Sequence, residues 1–472
     1  MKKILALVAV SAIALSGCVS LAPDYERPDA PVPVALPVGD VDGSVAIIGA
    51  DWRSVFTDPA LQQVIETALV NNRDLRVATL NVQAARARYG ITGAARYPTI
   101  SASASATERE VFDEGGSAQD PSVAFQQVDQ ASAQLATTAY ELDLFGRVNS
   151  LNRQALQQYF AAEENRRNAE LTLIGTVANA WISLATNERL LALAIDTADA
   201  QEESLALTQQ LFEAGAANEL DYRRALGSVE TSRADIARYE ALVAQARNAL
   251  ILLTGAPVPE TVMDEAELLP APVSTDLAIT RSSDVLLTRP DVLAAERTLE
   301  AANANIGAAR AAFFPRITLT GSAGYTSTEL DGLFTDGTGV WSFTPSVSVP
   351  IFSGGANRAN LRLAKTQRDI ALAQYEQAIQ SAFRETADAL AVSQTIDRRI
   401  ASLENFVNAN ERALELSELR LREGIDSYLS VLDAQRTVYQ ARQALIAAQQ
   451  ERASNAVALY LALGGAGAPE QG

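Results

Sequence analysis

The stretch NNRDLRVATLNVQAARARYGITGAARYP, from Asn71 to Pro98, has a counterpart in TRPDVLAAERTLEAANANIGAARAAFFP, from Thr288 to Pro315. Each carries apolar residues at helical spacing and stops at a proline, which cannot continue a helix interior. Asp74 to Pro98 and Asp291 to Pro315 are both 24 residues apart, so the offset between the copies is 217 residues. Gly215 to Gly255 and Gly424 to Gly464 are both 40 apart. Matched spacings at two independent places identify an internal duplication.

After the proline each copy turns from a helical period to a period of two. In the second copy Ile317, Leu319, Ala323 and Tyr325 alternate with Thr318, Thr320, Ser322 and Thr326. Further on, Trp341, Phe343, Val347, Val349 and Ile351 alternate with Ser342, Thr344, Ser346 and Ser348. The first copy alternates more weakly from Ile100 to Thr107, and Tyr140, Leu142 and Leu144 oppose Glu141 and Asp143. Polar connections at 108–130 and 328–339 separate the strands. Each copy therefore supplies a hairpin of roughly ten-residue strands, the length of a transmembrane β-strand. Trp341, Phe343, Tyr325 and Tyr140 are suited to a membrane aromatic girdle, and Phe145 and Phe352 to the strand–helix junctions.

The rest reads as helix. No proline lies between Pro121 and Pro257 or between Pro350 and Pro469, and both stretches are rich in Ala, Leu, Gln, Glu and Arg. One helix over 147–213 would run ~100 Å at ~1.5 Å per residue. Leu171, Ile174, Ala178, Trp181 and Ala185 follow a coiled-coil spacing. Gly215 and Gly424 are the candidate helix-ending glycines of two hairpin tips, with Asn218 and Asp221 opening the returning helix.

Composition narrows the function. The 472 residues include one Cys and no His, which excludes Ser-His-Asp hydrolysis, His-ligated zinc, multi-Cys metal sites and disulfides within the chain. The formal charge of −19 disfavours a nucleic-acid partner. No catalytic constellation stands out, so an enzyme is not expected, nor any resident metal or cofactor. Lys2 and Lys3, the apolar run from Ile4 to Leu15 and the small residues up to Cys18 have the layout of a secretory signal over 1–17. LSGC at 15–18 resembles a bacterial lipobox, which implies diacylglycerol and fatty acyl groups on Cys18. Val19 beside that cysteine, rather than Asp, points to outer-membrane sorting.

The expected organisation is a signal peptide at 1–17, a lipidated extended segment at 18–50, a first repeat at 51–270 with strands near 98–108 and 132–145, a second repeat at 271–465 with strands near 315–327 and 340–352, and a C-terminal tail at 466–472. Four strands cannot close a barrel, and an open edge in lipid leaves unpaired backbone groups at several kcal/mol each. Self-association must supply the rest. Three copies would give twelve strands and a lumen, whereas two would give eight and little interior space.

The chain resembles the TolC-like outer-membrane factor family, in the NodT-type lipoprotein branch that serves resistance-nodulation-division efflux systems. The resemblance rests on LAPDYERPDAPVP from Leu21, DWRSVFTDPALQQVIETALVNNRDL from Asp51, LDLFGR from Leu142, LLTRPDVLAAERTLEAANANIGAARAAFFPRITL from Leu286, VPIFSGG from Val349 and YLSVLDAQR from Tyr428. It implies a mainly α protein with membrane β: long helical hairpins forming a periplasmic α-barrel, and four strands per protomer in a trimeric twelve-stranded barrel. It also implies a passive, lipid-anchored channel in the outer membrane of a Gram-negative bacterium, carrying small molecules or drugs. The implied partners are a periplasmic membrane-fusion adaptor and an inner-membrane proton-driven pump. Type I protein secretion uses the same architecture and is the alternative; a lipoprotein scaffold without a pore has no need of the strands.

By motif match Leu429 resembles the apolar constriction of a periplasmic gate, Asp433 its acidic ring and Arg436 a nearby polar partner. Asp221 matches a position that bonds neighbouring helices in the closed state. Ser430 stands where some relatives carry a second acid. The tips around Gly215 and Gly424 are candidate adaptor contacts.

Overall fold

The computed structural model describes residues 20–37, 51–113, 124–215, 217–268, 271–274 and 282–465. Cys18, the signal segment at 1–17 and the tail at 466–472 lie outside them. The elements run in chain order as α1 (Trp52–Val55), α2 (Pro59–Asn71), α3 (Arg73–Ala94), β1 (Ile100–Asp113), β2 (Ala124–Leu142), α4 (Arg147–Glu213), α5 (Glu219–Thr254), α6 (Glu260–Met263), a 3-10 turn (Ser283–Thr288), α7 (Pro290–Ala311), β3 (Arg316–Ser327), β4 (Gly339–Ser348), α8 (Ala356–Arg422) and α9 (Tyr428–Ala462). The duplication is carried into three dimensions: α3 and α7 both have 22 residues, and α4 and α8 both have 67. Among the described residues no helix is long and apolar enough to cross a membrane.

The described residues form two compact units. The first draws on the sections Met1–Pro28, Gln83–Ala161 and Glu296–Ala373; the second on Asp29–Val82, Ala162–Ala295 and Gln374–Gly472. Each unit therefore takes parts of both repeats.

The first unit holds one antiparallel sheet in the order β1-β2-β3-β4. Its two faces differ in chemistry. Ser322 and Ser342 share a hydrogen bond of 2.8 Å, as do Thr318 and Ser346, while Ser105 and Ser132 share one of 2.9 Å. The intervening pairs Ile317↔Val347, Gly321↔Phe343 and Ala323↔Trp341 place apolar groups on the opposite side, and Trp341 is 80% exposed. A hydroxyl face suits water and an apolar face suits lipid. The edges β1 and β4 have no partner strand within the described chain.

The first hairpin is longer than the sequence reading. Glu108↔Asp129 through Asp113↔Ala124 pair residue by residue across what reads as a polar connection. In this stretch the adjacent apolar residues Val111 and Phe112 break the alternation among Glu108, Arg109, Glu110 and Asp113, so the period-two signal is missing there. In the second copy β4 ends at Ser348, before Pro350, whose ring nitrogen has no proton for the ladder. Ala139 has φ +51° where the β2–β3 register shifts between Thr137 and Tyr140, a bulge that bends β2 near its exit from the sheet. Tyr140 donates its hydroxyl to the Arg96 carbonyl at 3.0 Å, and Phe145 stacks on Phe314 with centroids 4.8 Å apart. Both tie strand ends to helix ends, and Phe352 stays exposed.

The leader runs antiparallel to α7. Arg310 donates to the Leu21 carbonyl at 2.9 Å and Asn303 to the Pro23 carbonyl at 2.8 Å. Arg27 grips Glu296 through two bonds of 2.6 and 2.7 Å, and the Tyr25 hydroxyl donates to the same carboxylate at 3.2 Å. The bidentate pair matters because the Glu296 side chain is only 5% exposed and a buried carboxylate needs a counter-charge. Gly307 allows the close approach, since a Cβ there would lie 2.8 Å from the Ala22 nitrogen.

In the second unit the core forms where α2, α4 and α9 meet: Leu61, Val64 and Ile65 pack with Ile174, Ala178, Trp181 and Ala185, and with Ala453, Val457 and Tyr460. Asp58 connects this core to α2. One carboxylate oxygen accepts the Ala60 and Leu61 N–H groups at the N-terminus of α2, and the other accepts the Trp181 indole N–H at 2.9 Å. Truncating a buried Trp of this kind costs about 3–5 kcal/mol.

Candidate functional site: the hairpin tips

The candidate site lies in the second unit, where α4 turns into α5 and α8 turns into α9. Gly215 and Gly424 have φ of +74° and +70°, a left-handed conformation that penalises any side chain. The Gly424 N–H reaches the Leu421 carbonyl at 3.0 Å and the Ile425 N–H the Arg420 carbonyl at 2.9 Å, so the open end of α8 is satisfied locally. At the first tip the Asn218 side chain accepts the Asp221 N–H at 2.9 Å.

The second tip uses a residue that the sequence reading passed over. Ser427 occupies the cap position of α9 without a side-chain cap bond. Asp426 takes over, accepting from the Ser427 N–H at 3.1 Å, the Ser430 hydroxyl at 3.0 Å and Arg420 at 3.1 Å. The Ser430 bond first, then Arg420, holds the Asp426 carboxyl below its ordinary range. An Asp-Ser pair one residue beyond a helix-ending glycine was the available signal.

The structure brings Asp221 beside the α9 segment of the second repeat. Tyr428 is buried with Ala225 and Leu432, and burial followed by the Asp221 charge pushes its hydroxyl pKa up. Among the described residues Asp221 pairs with Arg224 on its own helix, at 3.9 Å. A groove of about 510 Å³ opens here, lined among others by Glu203, Asp221, Glu418 and Asp426, with Arg422 as a basic residue.

Leu429, Asp433 and Arg436 lie on another face of α9. Tyr428, Val431, Leu432, Gln435 and Val438 are buried, whereas the three candidates are exposed at helical spacing. Neither Asp433 nor Arg436 has an ion-pair partner among the described residues. Further along α9, Tyr439 donates to Asp235 at 3.0 Å and Gln443 donates to the Tyr239 hydroxyl at 3.1 Å. Burial first, then the Asp235 bond, pushes the Tyr439 hydroxyl above its ordinary range. The equal spacing of both pairs means that α5 and α9 run parallel here. These two bonds clasp the returning helices together beyond the exposed stripe, a feature that periodicity alone did not reveal.

Paired long helices, an open two-faced sheet and an exposed stripe near the tips define a channel subunit of the outer-membrane type. A family model described as outer membrane efflux protein matches residues 64–256 and again 282–465, one match per repeat. The chain is 43% identical over 470 residues to the probable efflux pump outer membrane protein TtgC of Pseudomonas putida, covering 98% of this chain and 96% of that protein. It is 44% identical over 461 residues to the outer membrane protein OprJ of Pseudomonas aeruginosa, covering 96% and 94%. Among solved structures it matches the open state of the MtrE outer membrane channel of Neisseria gonorrhoeae with a TM-score of 0.84 and 38% identity, covering 95% of this chain and 98% of that one. The chain belongs to the outer membrane efflux protein family and is the outer-membrane channel component of an efflux system.

Proposed function

We propose that three copies of the chain form a passive conduit that performs no chemistry of its own. The observation that carries this reading is the four-stranded sheet with unpaired edges at β1 and β4. In lipid those edges demand partner strands, and three copies supply a twelve-stranded barrel with room for solutes. A membrane-fusion adaptor delivers substrate from a resistance-nodulation-division pump, docking on the tips around Gly215 and Gly424, where the groove carries more carboxylates than cations. Relatives are named for toluene, solvent and antibiotic efflux, so small apolar molecules and drugs are the proposed cargo. Acyl groups on Cys18 anchor the mature chain.

The exposed stripe is the proposed gate. Leu429 narrows the passage, Asp433 attracts cations to it, and Arg436 with Asp221 sets how neighbouring helices meet. Bringing several Asp433 carboxylates together costs energy that favours opening. Conductance of the purified oligomer in planar bilayers tests both layers of this reading. Asp433→Ala is expected to lower cation selectivity, and an unchanged reversal potential rejects the acidic ring. Leu429→Gly is expected to raise conductance; wild-type conductance in a folded oligomer rejects the constriction. Native mass spectrometry showing any stoichiometry other than three rejects the trimer.

A further inference from the structure

In a chain with a formal charge of −19, the helix ends that adjoin the sheet are basic. The stretches 86–99, 144–156, 305–316 and 349–365 contain Arg and Lys but no Asp or Glu. All four belong to the first unit and lead into or out of its strands. Some of these cations have internal work: Arg310 holds the leader, Arg96 bonds Asn149, and Arg147 and Arg316 share Glu141. The other nearby acid, Asp143, accepts the Asn149 N–H. Six cations remain exposed with no ion-pair or side-chain hydrogen-bond partner among the described residues: Arg86, Arg88, Arg153, Arg358, Arg362 and Lys365. Beside them Ile351 and Phe352 are about nine-tenths exposed.

The leader supplies an independent measure of where the bilayer surface falls. It runs toward the C-terminal end of α7, with Leu21 fixed to Arg310 six residues before the start of β3. Cys18 is three residues upstream of Leu21, a reach of about 10 Å even when fully extended. An acyl chain on Cys18 therefore enters the membrane level with the basic stretches. We infer that the six free cations form a binding surface for the phosphate-bearing headgroups of anionic phospholipids in the periplasmic leaflet, with Ile351 and Phe352 reaching toward the acyl boundary. Charge complementarity selects this occupant. A basic residue near an anionic surface is attracted without needing a shaped pocket, and the attraction is screened by salt. This surface presupposes the outer-membrane assignment, and the reach of the anchor presupposes lipidation of Cys18.

The test uses the full-length channel reconstituted with spin-labelled phosphatidylglycerol or phosphatidylcholine, read by electron paramagnetic resonance. Wild-type protein is expected to associate with phosphatidylglycerol on the order of threefold more strongly at low salt and to lose that preference in about 1 M salt. Arg358→Gln with Arg362→Gln and Lys365→Gln should remove at least half of it. Equal association of both lipids with the wild type overturns the inference, as does a preference that the triple variant leaves intact. If the variant fails to assemble, the wild-type salt series still decides. A shifted reversal potential with an unchanged lipid preference assigns these cations to the pore and overturns the inference. Cys18→Ser should keep the preference; its loss in that variant overturns the inference by assigning the effect to the anchor. Mass spectrometry of the mature N-terminus tests lipidation separately.

Discussion

The two repeats finish their returning helices at equivalent points and secure those ends by different chemistry. In the first, Asn72 donates to the Leu253 carbonyl at 2.7 Å and accepts the Leu75 N–H at 2.9 Å. In the second, Arg289 donates to the Ala462 carbonyl at 2.8 Å. Positions 72 and 289 differ by 217, the offset of the flanking motifs, and positions 253 and 462 differ by 209, the offset of the tip glycines. The shared requirement is the set of unpaired carbonyls that every helix end leaves. A neutral amide meets it once; a buried charge meets it the second time. The charge brings obligations, since Arg289 is almost fully covered and needs Asp291 and Glu385 at 2.8 and 2.9 Å. Burial works against its ionisation, and those two carboxylates nevertheless hold its pKa above the ordinary value.

The comparison predicts that the second repeat is the more brittle. Arg289→Ala should destabilise the solubilised protein by about 3–5 kcal/mol, because it orphans a helix end and removes a buried counter-charge. Asn72→Ala should cost less, about 1–3 kcal/mol, the scale of an unsatisfied neutral group. Denaturant unfolding of the two variants checks both, and an Asn72→Ala loss equal to that of Arg289→Ala breaks the proposed asymmetry. The tips should show the smallest difference. Asn218→Ala should cost about 1 kcal/mol at any pH, as a neutral cap does. The Asp426 carboxyl is depressed in the folded state, so its contribution is present above the ordinary carboxylate value and is lost as pH falls through the folded one. Protection from hydrogen exchange at residues 424–432, taken relative to the intrinsic rate at each pH, should therefore fall at acidic pH more than protection at the first tip does.

Much of the fold was legible because duplication gave each signal twice. The proline-free stretches gave α4 and α8, and the period-two stretches gave β3 and β4. The outer parts of β1 and β2 were not legible, since the sequence there does not alternate apolar and polar residues. At the site, Leu429, Asp433 and Arg436 share an exposed face of α9, and their assignment to a gate rests on motif resemblance. Asp426 carried only a local cap signal. The Tyr439–Asp235 and Gln443–Tyr239 bonds join residues 204 apart in sequence, and no local pattern encodes such pairs.

The sequence by itself determined the repeat, the long helices, the inner strands, the positive-φ tips and the exclusion of imidazole or disulfide chemistry. These depend on residue type and short-range spacing. Tertiary structure alone decided that Arg27 neutralises Glu296, that Asp221 lies near Tyr428, and that Arg289 and Asn72 perform one task in two ways. Burial makes these charges and amides depend on partners hundreds of residues away, and only the packed chain brings such partners within hydrogen-bond distance.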